Sequence, residues 1–354
     1  MKITALLLLS CAFLTACDSS EPQKTVSDRF EHSILAFGTV INISIAGSDK
    51  QTAELAFNTL TDDFTYWHRV WNPWTQGPLK RVNSLLPTTA AFNSPLHLIP
   101  LIKQSQQYFE QSEGLFNPAI GQLINLWRFH EHEKEGKQPP ARAEIQTLVQ
   151  QNPSITDIKV DNIRLQSSNE SVQLNFGAFA KGYAIDRSIE TLQQLGIHNA
   201  VINAGGDLKA TGQHSDRAWR IGIQHPRNKD SVIATIEAKD QESIFTSGDY
   251  ERYFFYEKQR YNHILDPRTG YPASLSQSVT VIHNNAGLAD AAATALFIAG
   301  PEHWYRIAKK MGIKYVMLVA ANGDIHMNPA MQKRLQLNIQ NDINKAPIKI
   351  SAEL

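Results

Sequence analysis

The spacing of apolar and polar residues changes abruptly in the middle of the chain. Val172, Leu174 and Phe176 alternate with polar neighbours, which is the pattern of a half-buried strand. After Gly177 the apolar residues recur at helical spacing, and Gly196 is then a suitable C-cap. The apolar positions of this helix are Ile185, Ile189, Leu192 and Leu195. The sequence therefore predicts a strand, a turn of small residues and a helix.

This turn has the features of an anion-binding site. The first backbone N–H groups of a helix lack partners within the helix, and the helix dipole is positive at that end. Lys181 lies one turn into the predicted helix, where its ammonium group could reach the same anion. A helix start with a surface lysine is the alternative that this stretch alone leaves open.

The remaining pattern mixes strands and helices. Residues 34–46 read as one strand with Ile41, Ile43 and Ile45 on one face, and residues 53–71 read as a long amphipathic helix. Mostly strands follow Gly196, and then a helix over 288–299, a second helix opened by Pro301, and a core strand over 315–319. The loop at 128–137, with His130 and His132, reads as solvated. No regular βαβ repeat is present, so the sequence predicts an α+β fold with mixed or antiparallel sheets and packed helices.

The N-terminus has the pattern of an export signal. Lys2 precedes an apolar run over residues 3–13, and Leu-Thr-Ala-Cys at residues 14–17 resembles a bacterial lipobox. The sequence therefore predicts a lipoprotein signal peptide over residues 1–16 and lipidation of Cys17. Residues 17–30 form the predicted tether, residues 31–332 the predicted catalytic domain, and residues 333–354 a peripheral tail. Asp18 after the cysteine predicts retention at the inner membrane, on its periplasmic side.

Composition narrows the classes of function. The 354 residues carry a formal net charge of zero with 42% apolar residues, and no basic patch is interleaved with aromatics, so nucleic acid is not an expected partner. Cleavage after residue 16 removes Cys11 and leaves Cys17 as the sole cysteine. A disulfide or a zinc-thiolate site is thereby excluded.

Three further clusters could carry chemistry. Residues 203–207, Asn-Ala-Gly-Gly-Asp, follow a predicted strand, and their paired glycines allow close backbone approach or an ordinary tight turn. Residues 246–250 precede a segment with His263 and an Asp-Pro-Arg-Thr-Gly turn, and a histidine at that position has either a structural or a catalytic role. Asp290 and Thr294 lie four residues apart, so they share one helical face. A carboxylate and a hydroxyl there suit Mg²⁺, although an aspartate near a helix N-terminus is also favoured by the helix dipole. Walker, dinucleotide-binding, serine-hydrolase and zincin motifs are absent.

Taken together, these motifs resemble the ApbE family of FAD:protein FMN transferases. The similar segments occur in the family's order over most of the chain: residues 37–39, 115–118, 175–186, 203–207, 246–250, 263–270 and 290–294. The resemblance implies an α+β fold with an FAD-binding cleft. It implies Mg²⁺-dependent transfer of FMN from FAD to a threonine hydroxyl of an extracytoplasmic redox protein, with release of AMP.

The resemblance also implies roles for individual residues. Mg²⁺ would be held by the carbonyl of Ala178 together with Asp290 and Thr294. FAD would contact Phe37, Leu115, Phe116, Asn117, Asn175, Lys181 and Ile264. Lys181 and the metal would stabilise the diphosphate charge, while His263 or Asp290 would deprotonate the threonine. Asn117 and Asn175 stand where the family usually has aspartate, and Phe37 where it usually has methionine.

Two other functions remain compatible with these residues. An FAD diphosphatase would use water in place of the threonine and give FMN and AMP. A flavin-holding lipoprotein would bind FAD without reaction, although the presence of Lys181, Asp290 and Thr294 argues against it.

Overall fold

A computed structural model describes residues 29–131, 137–214, 216–338 and 347–354. The predicted signal peptide, Cys17 and nearly all of the predicted tether lie outside these residues. The helices are α1 (Lys50–Val70), α2 (Pro78–Leu85), α3 (Ile99–Gln111), α4 (Gly121–Trp127), α5 (Arg142–Gln150), α6 (Ala180–Gln194), α7 (Ala286–Lys310) and α8 (Pro329–Gln332). The strands are β1 (Arg29–Ala36), β2 (Thr39–Ala46), β3 (Phe92–Asn93), β4 (Ile158–Asp161), β5 (Arg164–Ser167), β6 (Ala200–Ala204), β7 (Asp207–Thr211), β8 (Trp219–His225), β9 (Asn228–Ala238), β10 (Ser243–Gly248), β11 (Tyr253–Tyr256), β12 (Gln259–Asn262), β13 (Ser276–His283), β14 (Tyr315–Ala320), β15 (Ile325–Met327), β16 (Gln336–Leu337) and β17 (Ile348–Ile350).

A nine-stranded sheet organises the fold. Its order is β1-β2-β6-β7-β10-β13-β14-β15-β17, and every neighbouring pair is antiparallel except β15 and β17. Separate small sheets are formed by β11-β12, by β16-β9-β8 and by β3-β5-β4. This mixture of long helices with a largely antiparallel sheet confirms the predicted α+β class.

Apolar side chains on both faces of the large sheet are buried. The isoleucines of β2 point to one face, where they join a core with α1, α6 and α7. Val201 and Leu208 face the other way and pack against Trp219 and Ile223 of the small sheet β16-β9-β8. The resulting layers are helices, the large sheet and the small sheet. The side chains of β2 alternate between the two faces of the large sheet, and its isoleucines lie on the face that the helices cover.

Two predicted strands differ in the structure. Residues 34–46 form a hairpin rather than one strand, because Phe37 and Gly38 turn the chain with φ of +52° and +73°. Among the described residues, the segment around Leu174 belongs to no strand, and its one bridge joins Gln173 and Ile120. The side chain of Asn83 takes the place of a strand partner there, since its amide donates to the Leu174 carbonyl and accepts the Leu174 N–H, both at 2.8 Å.

The predicted helix ends are confirmed, and the tail contributes strands. Gly196 follows α6 with φ of +78°, and α7 bends at Gly300, with φ of +68°, directly before Pro301. In the predicted peripheral tail, β16 pairs with β9, and β17 forms one edge of the large sheet. Within the described ranges, no helix combines the length and apolarity that a bilayer crossing requires.

Candidate functional site

One cleft brings together residues from distant parts of the chain. It is bounded by the loop before α4, the turn that enters α6, the end of β10, the segment after β12 and the start of α7. Its lining includes every predicted site residue of the catalytic domain except Phe37: Leu115, Phe116, Asn117, Asn175, Ala178, Lys181, His263, Ile264, Asp290 and Thr294. The four clusters that the sequence singled out therefore meet in one place.

Phe37 lies outside this lining, so its contact with FAD stays a prediction. Its ring stacks on Trp71 at 6.1 Å between centroids, and its N–H donates to Nδ1 of His68 at 3.1 Å. An aromatic side chain at the hairpin turn thus packs on the aromatic residues of α1. The turn itself still adjoins the cleft, because Thr39 lies against Gly205, which is a lining residue.

Lys181 is held by an acidic partner inside the cleft. Its ammonium group pairs with Oδ2 of Asp207, whose Oδ1 accepts the N–H of Thr246 at 2.9 Å. Burial opposes the charge of Lys181, but Asp207 and Asp290 outweigh that effect and raise its pKa above the ordinary value. Lys181 is therefore a fixed cation. Asp207 lies in the glycine-rich cluster, but no sequence pattern indicated that it would position Lys181.

Asp290 is a buried carboxylate at the junction of α6 and α7. It is 5% exposed, and its Oδ2 accepts the N–H of Gly182 at 3.0 Å. Burial raises the pKa of Asp290 to about 7, against the attraction of Lys181 and with the repulsion of Asp207. The N–H groups predicted to receive a ligand anion thus include one that receives a carboxylate of the protein.

The predicted metal ligands fit a hard cation by their chemistry. Thr294 lies one turn beyond Asp290, and its hydroxyl is 3.2 Å from that of Ser247. Ala178 lies in the turn before α6 and also lines the cleft. A carboxylate whose burial disfavours its charge gains from a cation, and oxygen ligands are those that Mg²⁺ takes. No group of three or more His, Cys, Asp or Glu side chains with metal-binding geometry occurs in the described parts of the chain.

His263 is a neutral imidazole beside the two cations of the cleft. Burial, followed by the charges of Arg252 and Lys181, lowers the pKa of His263 to about 3. Its Nδ1 has no hydrogen-bond partner among the described residues. Ile264 is buried next to it, with its N–H bonded to the side chain of Asn262 at 2.9 Å.

The two asparagines that replace the usual aspartates are used differently. Asn175 is buried, and its Oδ1 accepts the N–H of Gly177 at 2.9 Å, so it shapes the turn before α6. Asn117 accepts the N–H of Ala119 at 3.1 Å and donates to the carbonyl of Pro153 at 2.8 Å. A carboxylate could not make that donation at neutral pH, so the amide of Asn117 has a structural use of its own.

Comparison with known proteins identifies the family of this chain. The model of the ApbE family matches residues 37–317. The chain belongs to the ApbE family. An FAD:protein FMN transferase of Rhodobacter capsulatus is 36% identical over 319 residues, which are 89% of this chain and 59% of that protein. An FAD:protein FMN transferase of Klebsiella pneumoniae is 26% identical over 325 residues, 89% of this chain and 91% of that protein.

A solved ApbE structure has the same fold. The ApbE protein of Thermotoga maritima superposes with a TM-score of 0.79 at 29% identity, over 87% of this chain and 99% of that one. The chain spans less than two thirds of the Rhodobacter relative, whereas it spans most of the other two. The resemblance inferred from the motifs and the ApbE fold are thus confirmed.

The ApbE cleft also contains residues that the sequence analysis missed. Trp74 and His130 stack at 4.6 Å between centroids and both line the cleft, so the prediction of a solvated loop was wrong for His130. Trp74 is fixed by a hydrogen bond from its Nε1 to Asn125 at 2.9 Å. Glu251 and Arg252 line the cleft as well. They follow the Thr-Ser-Gly-Asp-Tyr cluster directly, and this adjacency is the signal that could have identified them.

Proposed function

We propose that this ApbE-family protein transfers the FMN moiety of FAD to a threonine hydroxyl of an acceptor protein, in a Mg²⁺-dependent reaction that releases AMP. The observation that carries the proposal is the meeting of Lys181, Asp290, Thr294 and His263 in one cleft. Relatives named FAD:protein FMN transferase, which match 89% of the chain, support the same activity.

The cleft suits a ligand with an aromatic ring and a diphosphate. Leu115, Phe116 and Ile264 are buried apolar residues that provide surface for a ring system. Asn175 offers an amide Nδ2 that is not engaged by any described hydrogen bond. Lys181, held in its charged form by Asp207, supplies a positive charge for the diphosphate.

Asp290, Thr294 and the carbonyl of Ala178 would hold the magnesium ion. Bound there, Mg²⁺ would supply electrostatic stabilisation of the charge that grows on the diphosphate oxygens. Asp207 keeps Lys181 oriented for the same purpose, and Gly182 keeps Asp290 oriented through its N–H.

The acceptor threonine supplies the nucleophile for the transfer. Its Oγ attacks the flavin-side phosphorus, the bond from that phosphorus to the bridging oxygen breaks, and AMP leaves with the electron pair. The threonine proton goes to the imidazole of His263, which is neutral and therefore able to accept it. The negative charge of bound FAD opposes the fields of Arg252 and Lys181, so FAD raises the pKa of His263 when the base is needed.

We further propose that the protein is lipid-anchored at Cys17 on the periplasmic side of the inner membrane. The lipobox-like Leu-Thr-Ala-Cys and the following Asp18 support this location. Extracytoplasmic redox proteins with an acceptor threonine are then the partners within reach.

Intact mass measurement tests the transferase activity. The protein is incubated with FAD, MgCl₂ and a purified acceptor domain, and the matched control is the acceptor with its threonine changed to alanine. We expect the mass of one FMN moiety on the first domain only, together with an equal amount of AMP. Free FMN and AMP without labelled acceptor would establish the diphosphatase instead. Bound FAD with no product would establish a flavin-binding protein.

A further inference from the structure

The two cationic side chains that line the cleft differ in whether they form an ion pair. Lys181 is neutralised by Asp207, and Asp290 is bonded to backbone. Arg252 is the other cation of the lining, and among the described residues no carboxylate lies within ion-pair distance of its guanidinium group. Its charge lowers the pKa of His263 and that of His130, behind the effect of burial, so its field extends over this side of the cleft.

The backbone of Arg252 is fixed by its surroundings. The loop from Asp249 to Arg252 connects β10 with β11, and Asp249 is clamped by Arg227 through two hydrogen bonds of 2.6 and 2.7 Å. The ring of Tyr250 folds so closely over Gly248 that a Cβ there would lie 2.4 Å from it. The carbonyl of Arg252 accepts the N–H of His263 at 3.0 Å. The loop thus presents the arginine beside the proposed base.

The guanidinium group of Arg252 packs against the β1–β2 hairpin turn. Its Nη2 lies 3.2 Å from the position that a Cβ would take at Gly38. Gly38 has φ of +73°, which favours glycine, and its missing side chain leaves room for the guanidinium. The hairpin turn therefore supports the arginine.

We propose that Arg252 binds the diphosphate of FAD, as a second cation alongside Lys181. The identity of the ligand rests on the proposed function. A guanidinium group presents a planar set of donors that matches phosphate oxygens in a bidentate manner. The described structure has no ion pair of Arg252 for FAD to break, although Arg252 and Lys181 also attract the carboxylate of Glu251, another lining residue.

Ligands that differ in their phosphates test this assignment. Binding of FAD, ADP and riboflavin is measured by titration for wild type, Arg252→Ala and Arg252→Lys. The control is Arg187→Ala, which removes the same charge from an exposed position outside the cleft lining. We expect Arg252→Ala to weaken FAD and ADP about tenfold and to leave riboflavin unchanged. Arg252→Lys should be intermediate, because it keeps the charge but not the bidentate geometry.

The outcomes separate this inference from the proposed function. Equal FAD and ADP binding by Arg252→Ala and wild type would overturn the role of Arg252 while the transferase activity stands. A raised KM for the acceptor with unchanged FAD binding would also overturn it, because the arginine would then serve the acceptor. A wild-type protein that neither binds FAD nor transfers FMN would refute the proposed function itself.

Discussion

Changing Asp290 to asparagine should make the protein more stable and inactive. The substitution preserves the shape of the side chain and removes its charge. The carboxylate is 5% exposed, and burial raises its pKa from 3.8 to about 7. The difference corresponds to about 4 kcal/mol between the protonated and ionised forms in the fold. The folded-state pKa of Asp290 lies above its unfolded value. The contribution of Asp290 to the free energy of unfolding is therefore fully present below about pH 4 and is lost as pH rises towards 7.

Asparagine cannot ionise, so the Asp290→Asn variant does not lose stability as pH rises in the way that wild type does. Part of the gain is offset, because Lys181 loses one of the acidic neighbours that raise its pKa. We therefore expect metal-free Asp290→Asn to be more stable than wild type by about 1–3 kcal/mol at pH 8, and equally stable near pH 4. Mg²⁺ should stabilise wild type and not the variant. Turnover should fall by orders of magnitude, with a smaller effect on FAD affinity.

Urea unfolding in EDTA and in MgCl₂, at pH 4 and pH 8, measures these differences. The matched control is Asp186→Asn, on the same α6–α7 contact. Asp186 pairs with Lys209 at 2.7 Å and accepts the N–H groups of Ala286 and Gly287, so its loss should destabilise the protein. An Asp290→Asn protein that is no more stable at pH 8 than wild type, or that still responds to Mg²⁺, would refute this reasoning.

Three further substitutions address the anchor, the base and the departure from the family pattern. Cys17→Ala should abolish acylation and release the protein from membranes; a variant wholly retained in the membrane fraction in a fractionation assay would contradict the anchor. His263→Gln should lower kcat by about 10²–10⁴-fold and remove the decline in kcat that we expect of wild type as pH falls through the pKa of His263 in the FAD complex. An unchanged pH–rate profile would mean that His263 is not the base. Asn175→Asp keeps the acceptor for Gly177 and adds a charge-assisted bond worth about 1–2 kcal/mol, so FAD should bind about tenfold tighter; equal or weaker binding by calorimetry would show that the amide donor is needed.

The sequence predicted the elements whose patterns are local. The start of α6 after the small-residue turn, its end at Gly196 and the interruption of α7 before Pro301 follow from spacing, glycine and proline. The grouping of Lys181 with Asp290 came from the family resemblance. Spacing alone left both as residues that a helix terminus would explain.

The sequence could not predict partners that come from distant segments. Asn83 replaces a strand partner for Leu174 across 91 positions, and no periodicity encodes such a contact. Phe37 stacks on Trp71 because the fold brings the β1–β2 hairpin turn against α1. His130 enters the cleft because Trp74 stacks on it. Each outcome depends on side chains that meet only after folding.

The α6 terminus shows how two such segments form one site. The sequence predicted an anion at the unpaired N–H groups of this terminus, and part of that capacity is used by the carboxylate of Asp290, bound to Gly182. The helices can approach this closely only because residue 182 is glycine, since a Cβ there would lie 2.2 Å from the carbonyl oxygen of Ala286. The contact fixes Asp290 next to Lys181 in a site where burial disfavours its charge. A carboxylate held in that state gains free energy from a cation, so the packing of α6 on α7 would favour the metal binding that we propose at this position.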